Sequence, residues 1–409
     1  MIQIQKEHLA AACKHLLRVV PKKPTLPILG CIRIHQTPQS IHLTSTAIDR
    51  VIHITIPSLS LGGIKSKIAA LRAKREGAFF IPADLLASAA DGADAGSFVT
   101  LDRANIRIIL NEQPSNIPVE GYGDAEWPDQ IAGAAFTPVA GTFDPDATKR
   151  LMRCASKDEG RYVLMSIHWD AEGILIATDG RRLQREPFTP LTQSIGNPQG
   201  ANDPSDTFKG ITIPIEACKL IPARASIALA SEHIAFTATE NILTIRIFAK
   251  LMDGNYPNWR QVTPQPSGKS VRFDNERAAE SLRKINKIGS GKKDLDSTRI
   301  EVAKHSGNYG TITLTPRKDG KPCGSFALPA IVEGSPDAIH FSTQFLIDAL
   351  ENGGDTIDYA DGMSPALITG AKGNTHILMP MRDGGTTTQP EPEPEPEPEE
   401  IEEMEEVEV

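Results

Sequence analysis

"VRFDNERAAESLRKI" (residues 271–285) runs a short apolar strand into an Asp and then into a helical pattern. The strand's last apolar residue is Phe273, and Glu276 stands three positions later. A carboxylate at that place meets the unpaired N–H groups and the positive end of a new helix. Asp274, just before the helix, is a favoured cap.

Five further stretches have the same construction: "IQIQKEHLAAACKHLL" from Ile2, "FFIPADLLASAA" from Phe79, "GTFDPDATKRLMRCA" from Gly141, "ITIPIEACKLI" from Ile211 and "IHFSTQFLIDAL" from Ile339. Aligned on Ile4, Ile81, Phe143, Ile213, Phe273 and Phe341, the third residue onward is Glu7, Asp84, Asp146, Glu216, Glu276 or Gln344. Alternate units recur every 128–139 residues, so the sequence predicts three repeats of two strand–helix units each. Apolar runs such as "SIHLTST" (40–46), "VIHITI" (51–56), "ILIAT" (174–178), "ILTIRIF" (242–248), "TITLT" (311–315) and "HILMPM" (376–381) supply strands. The expected class is α+β, with helices packed on antiparallel sheet. The predicted domains are 1–135, 136–266 and 267–383, followed by an acidic Pro-Glu tail at 384–409. The first repeat exceeds the others by about 7–10 residues, and the basic stretch at 61–77 reads as the insertion.

Two aromatic-Pro pairs fall one period apart, Trp127-Pro128 and Tyr256-Pro257, each between the end of one repeat and the first strand of the next. They read as staples at the repeat exits.

The net charge of −9 is a property of the tail, whose 26 residues hold 11 Glu and no Lys or Arg. The remaining body carries about +2, too little for a static nucleic-acid binder held by many phosphate contacts. No apolar run reaches the roughly 18 residues of a membrane span, and the N-terminus lacks a signal-peptide core. The five Cys are scattered, which predicts buried thiols in a reducing, cytoplasmic setting. "GSGKK" (289–293) lacks the remaining residues of a phosphate loop, and the ten His show no metal spacing. No cofactor, metal or catalytic constellation is predicted, and the chain is read as a non-enzyme.

"PTLPILG" (24–30), "ATDGRRL" (177–183), "KLMDGNYPNW" (250–259) and "ILMPMR" (377–382) occur in an order and spacing that resemble the bacterial β sliding clamp family, the DNA polymerase III beta subunits. The resemblance covers residues 1 to about 382. It implies a ring-shaped head-to-tail homodimer of the DNA clamp fold, with twelve helices lining a central hole and sheets outside. It implies that the ring encircles duplex DNA without sequence specificity and tethers the replicative polymerase for processive replication. The partners it implies are double-stranded DNA, the polymerase III catalytic subunit, the clamp loader and other proteins with a clamp-binding peptide, with no membrane.

Weak phosphate contacts that permit sliding would come from Lys6, Lys14 and Arg18 on the first helix, Lys149, Arg150 and Arg153 on the third, and Arg277, Arg283 and Lys284 on the fifth. Lys23, Arg161 and Tyr162 match DNA-contacting positions of the family, with Val163 in place of a second aromatic. The partner-peptide pocket carries over to Leu164, Thr178, Gly180, Arg181, Arg182, Leu183, Pro257, Gln261, Val262, Phe345, Met363, Pro365, Ile377, Leu378, Met379, Pro380, Met381 and Arg382. Such a lining suits an extended peptide with apolar anchors, and Arg182 and Arg382 would meet its polar or acidic groups. Arg181 replaces the family's usual His, Gln261 its frequent Arg, and Asp383 an apolar residue. The tail reads as a disordered, solubilising extension, with competition against partner peptides or discouragement of non-productive DNA contact as the alternative. The alternatives are a clamp-fold scaffold that does not encircle DNA and an enzyme acting on nucleic acid.

Overall fold

The computed structural model describes residues 2–57, 77–119, 127–128, 134–188, 210–289, 295–371 and 373–382. The basic insertion apart from Gly77, most of "GSGKK", Asp383 and the acidic tail lie outside the described residues.

All six strand–helix units fold as strand then helix. The helices are Lys6–Leu16, Ala83–Gly92, Pro145–Cys154, Ile215–Cys218, Asn275–Gly289 and Thr343–Glu351. The aligned residue falls in the first turn each time. Asp144 caps the third helix by accepting from the N–H groups of Asp146 and Ala147. Asp274 accepts from the Arg277 N–H at 3.0 Å. Glu7 spends its carboxylate elsewhere, accepting the Gly96 N–H at 2.7 Å. That bond holds its pKa below the usual range.

Every described strand pairing is antiparallel, and the repeat persists in the register. The strand opening each second unit pairs with the one that follows the first helix: Ile32 opposite Ile81, Ile167 opposite Ile213, Thr298 opposite Phe341. Alternation puts Ile32, Ile34, Leu43, Ile52 and Ile54 on one buried face, against Leu9, Ala12 and Leu16 of the first helix.

The chain divides into two compact units. The larger holds Met1–Gln265, Asp348–Ile357 and Leu367–Leu378. In it, strand Arg50–Pro57 pairs with Leu243–Lys250, which merges the strands of two repeats into one eight-stranded sheet. That shared sheet joins the first two repeats edge to edge. Strand Arg182–Pro187 pairs with Thr375–Leu378, and this late segment counts with the larger unit. The strand stops at Leu378, short of the predicted "HILMPM".

The smaller unit begins at Pro266 and also takes Asp358–Ala366 and the chain from Met379. Its sheet runs Ser270–Phe273, Phe326–Glu333, Tyr309–Lys318, Ser297–Ser306, Ile339–Ser342, with helix Asn275–Gly289 packed on it.

Candidate functional site

Residues 177–183, "ATDGRRL", form a turn whose hydrogen bonds are made within it. The Asp179 carboxylate accepts the N–H groups of Arg181 and Arg182 at 2.9 and 3.0 Å. The Thr178 hydroxyl donates to the Arg182 carbonyl at 2.7 Å and accepts the Gly180 N–H at 3.1 Å. Gly180 sits at φ +86°, where a side chain would be strained. Thr178, Gly180 and Arg181 are thereby held at the surface while Leu183 turns into the core.

The core it enters is a small apolar cluster of Ile176, Leu183, Trp259 and Ile377, with Ile174, Tyr256 and Leu367 packed against it. The stretch "KLMDGNYPNW" closes it. Tyr256 stacks flat on His168, ring centroids 4.7 Å apart at 7°. The Trp259 indole donates to Asp170 at 3.2 Å, and the Arg260 guanidinium lies over its ring at 4.4 Å. Arg260 also reaches Asp170 at 3.1 Å and Glu172 at 2.6 Å. Burial works against the Asp170 charge, but the bonds from Glu172, Arg260 and Trp259 outweigh it and hold its pKa low. Burial pushes the His168 ring down to about 4. On either side of Trp259, Pro257, Gln261 and Val262 are exposed, Val262 at 53%.

Arg182 corrects the expectation attached to it. Its side chain is only 10% exposed and bonded through all three nitrogens: Nε on Asp179 at 3.0 Å, Nη1 on Asp348 at 2.6 Å, and Nη2 on the Arg153 carbonyl. Arg182 is a strut of the turn, its guanidinium turned inward onto these partners. Burial opposes its charge, yet the two carboxylates raise its pKa. Asp348 and Glu351 also draw Arg153. Beside this clamp, Arg150 reaches Glu186 at 2.8 Å, Gln184 donates to Glu186 at 2.6 Å, and Asn352 donates to Gln184 at 3.3 Å. Arg150 is therefore half-buried on a buried acid, whereas Lys149 on the same helix is exposed.

Of the other residues read as DNA-facing, Lys14, Arg18, Lys23, Arg161, Tyr162, Arg277, Arg283 and Lys284 are exposed, and Lys6 is half-buried. Arg18 also donates to the Lys219 carbonyl. Arg277 and Lys284 rest on their own helix's acids, Asp274 and Glu280. Such exposed pairs are weak and readily exchanged for phosphate. Leu164 is half-buried at the end of the 3-10 turn Glu159–Leu164.

Ile377 and Leu378 are buried in the larger unit. In the smaller unit Phe345, Pro365, Met379 and Pro380 are half-buried, Met381 is buried, and Met363 and Arg382 are exposed. Among the described residues no group of three or more His, Cys, Asp or Glu is placed to hold a metal ion. No helix among them is long and apolar enough to cross a membrane. Burial pushes the thiols of Cys13 and Cys154 up to about 12 and that of Cys31 to about 11, far from nucleophilic range.

These features define a class, the repeated α+β clamp fold with an exposed apolar shelf beside a polar-braced turn. The comparisons with known proteins agree. Residues 1–128 match the family described as DNA polymerase III beta subunit, N-terminal domain. The chain is 24% identical over 412 residues to the beta sliding clamp of Caulobacter vibrioides, covering 93% of this chain and 99% of that protein. It is 23% identical over 387 residues to that of Synechococcus elongatus, covering 89% and 94%. Among solved structures it is similar to a DNA polymerase III subunit beta from Pseudomonas aeruginosa, with TM-score 0.71 and 19% identity over 93% of this chain and 99% of that one. A sliding clamp from Bartonella birtlesii gives TM-score 0.70 at 19% identity, with the same coverage. The chain thus has the fold of the bacterial sliding clamps along nearly its whole length.

Proposed function

We infer that the chain works as a DNA sliding clamp, a protein that holds duplex DNA by topology and tethers the replication machinery to it. The observation that carries this reading is the match over 93% of the chain to sliding clamps of nearly the same length. Two chains close head-to-tail into a ring, with the basic helices turned to the DNA. The near-neutral body supports sliding, because a clamp needs weak, sequence-independent contacts.

Lys23, Arg161 and Tyr162 meet the duplex. Thr178, Gly180, Arg181, Leu183, Pro257 and Val262 receive the extended peptide of a polymerase or repair protein. The polymerase III catalytic subunit and the clamp loader are the principal partners, in the cytoplasm. The elevated thiol pKa values and the self-satisfied turn at 178–182 support a role without catalysis.

Loading onto nicked circular DNA tests the reading. The protein should stay on the circle at high salt and slide off once the circle is cut. A scaffold that does not encircle DNA would show neither behaviour, and an enzyme would change the DNA.

A further inference from the structure

The loop that leads into strand Ser166–Trp169 touches both the 178–182 turn and the turn at Gly254. A Cβ placed at Gly180 would stand 2.8 Å from Arg161 Nη1, so the guanidinium lies directly on the 178–182 turn. A Cβ placed at Gly254 would stand 3.1 Å from the Tyr162 hydroxyl and 3.2 Å from Val163 Cγ2. Gly254 sits at φ +112° and opens the Tyr256–Trp259 corner. The loop is anchored at its ends, where the Ser156 N–H donates to the Leu164 carbonyl at 2.9 Å and the Ile215 N–H to the Met165 carbonyl at 3.0 Å. Its middle is held by backbone bonds, Arg161 N–H to the Asp158 carbonyl at 3.0 Å and Met165 N–H to the Tyr162 carbonyl at 2.9 Å, but the side chains of Arg161 and Tyr162 are exposed, and Arg161 leaves the 3-10 turn geometry at φ −118°, ψ 51°. Among the described residues, Arg161 makes a long ion-pair contact to Asp158 at 3.7 Å, between two exposed groups. Such a pair exchanges readily for another anion.

We propose that Arg161 is a latch shared by DNA and partner peptide: it covers the Gly180 turn in the free protein and leaves it for a phosphate when duplex is bound. This rests on the reading of Arg161 as DNA-facing and of the 178–183 turn as peptide-binding. Arg161 cannot lie on Gly180 and on a backbone phosphate at once. Each ligand therefore favours the same state, with the guanidinium off the turn. By linkage, duplex tightens peptide and peptide tightens duplex by the same factor. A ring that carries DNA then recruits its partners in preference to an empty one.

The test is the affinity of the full chain for a fluorescent extended pentapeptide with two Leu and one Phe, read by anisotropy with and without a saturating short duplex at low salt. Duplex should tighten the peptide about 5-fold or more in the natural chain. Arg161→Ala should bind peptide that tightly without duplex and gain nothing from it. Arg161→Lys keeps a cation for phosphate but loses the planar fork that lies on the turn. It should hold duplex and still bind peptide as tightly as Arg161→Ala. Equal peptide affinity with and without duplex in the natural chain overturns the latch alone. Coupling that survives Arg161→Ala, or peptide binding abolished by it at an unchanged melting temperature, overturns it as well. A natural chain that ignores the peptide altogether sinks the site reading and the latch together, and is told apart by the missing signal.

Discussion

The two aromatic-Pro exits occupy equivalent places in the repeat and are built differently. Trp127 stacks on Phe80 at 5.6 Å and 23°, over a patch of Ile28, Leu29 and Cys31. Nothing in that patch titrates near neutrality. At the second exit Tyr256 stacks on a histidine, and Trp259 adds an indole bonded to Asp170 and capped by Arg260. The first corner is packing alone. The second joins packing to buried charge and ends in an exposed shelf. A repeat fixes where a staple goes, and the residues around it decide what else the staple does.

The largest break in this comparison comes from Trp259→Ala. It empties a buried ring position and leaves Asp170 without its indole partner, so a loss of about 3–5 kcal/mol is expected. Trp127→Ala removes a half-buried ring with no polar partner and should cost about half as much. Urea unfolding of both variants, followed by far-ultraviolet circular dichroism, ranks them; equal losses would mean that the Asp170–Arg260 brace adds nothing.

Arg182→Ala should fall close behind, at about 3 kcal/mol, because it removes the 2.6 Å partner of Asp348, whose side chain is 8% exposed, and leaves the longer contact from Arg153. Arg182→Met should recover part of that loss through packing, but none of the turn's order. Amide exchange at Gly180 and Arg181 separates the two effects: both variants should exchange faster there.

The next contrast is with pH. The folded His168 ring stays neutral down to about 4, while an unfolded His protonates near 6.5. Its contribution is full above pH 6.5 and is lost as pH falls through that window toward 4. Asp170 is held below the usual carboxylate range, so its contribution is full above about pH 4 and is lost as pH falls through its lowered value. Both act at the second corner. Calorimetry at pH 7 and pH 5 should show a drop in melting temperature that His168→Asn reduces and Trp127→Ala leaves unchanged. A drop untouched by His168→Asn would point to another buried ring, such as His376, which burial pushes down to about 3.

These contrasts mark what a linear reading can reach. The six strand–helix units were legible because period, cap and first-turn acid are local signals that each helix needs for itself. "ATDGRRL" was legible as a turn because Asp and Gly at those places carry the turn's own bonds. The Arg182–Asp348 pair was not, since its partners lie 166 residues apart and nothing local marks Asp348 as the acid. The same holds for Trp259 and Asp170, 89 residues apart. The predicted last strand overran because an apolar run such as "HILMPM" cannot show where pairing partners end, here at Arg182 opposite Leu378. The joining of two repeats was hidden for a related reason: only the register of Phe248 on Val51 shows that they share a sheet.

Val262 should give the smallest effect on folding and the clearest one on binding. Its side chain is 53% exposed, so Val262→Ala should change stability by no more than about 0.5 kcal/mol. Tyr256→Ala, a few residues earlier, removes a ring stacked on His168 and should cost several times that. In peptide binding the order should reverse per unit of stability lost: Val262→Ala weakens an apolar-anchored peptide about 5- to 10-fold, as expected for two lost methyl groups in a closed contact. Folding and peptide affinity measured on the same two variants decide whether the second corner has divided its labour, Tyr256 inward and Val262 outward. A Val262→Ala protein with unaltered peptide affinity would return this corner to what Trp127 is, a staple and nothing more.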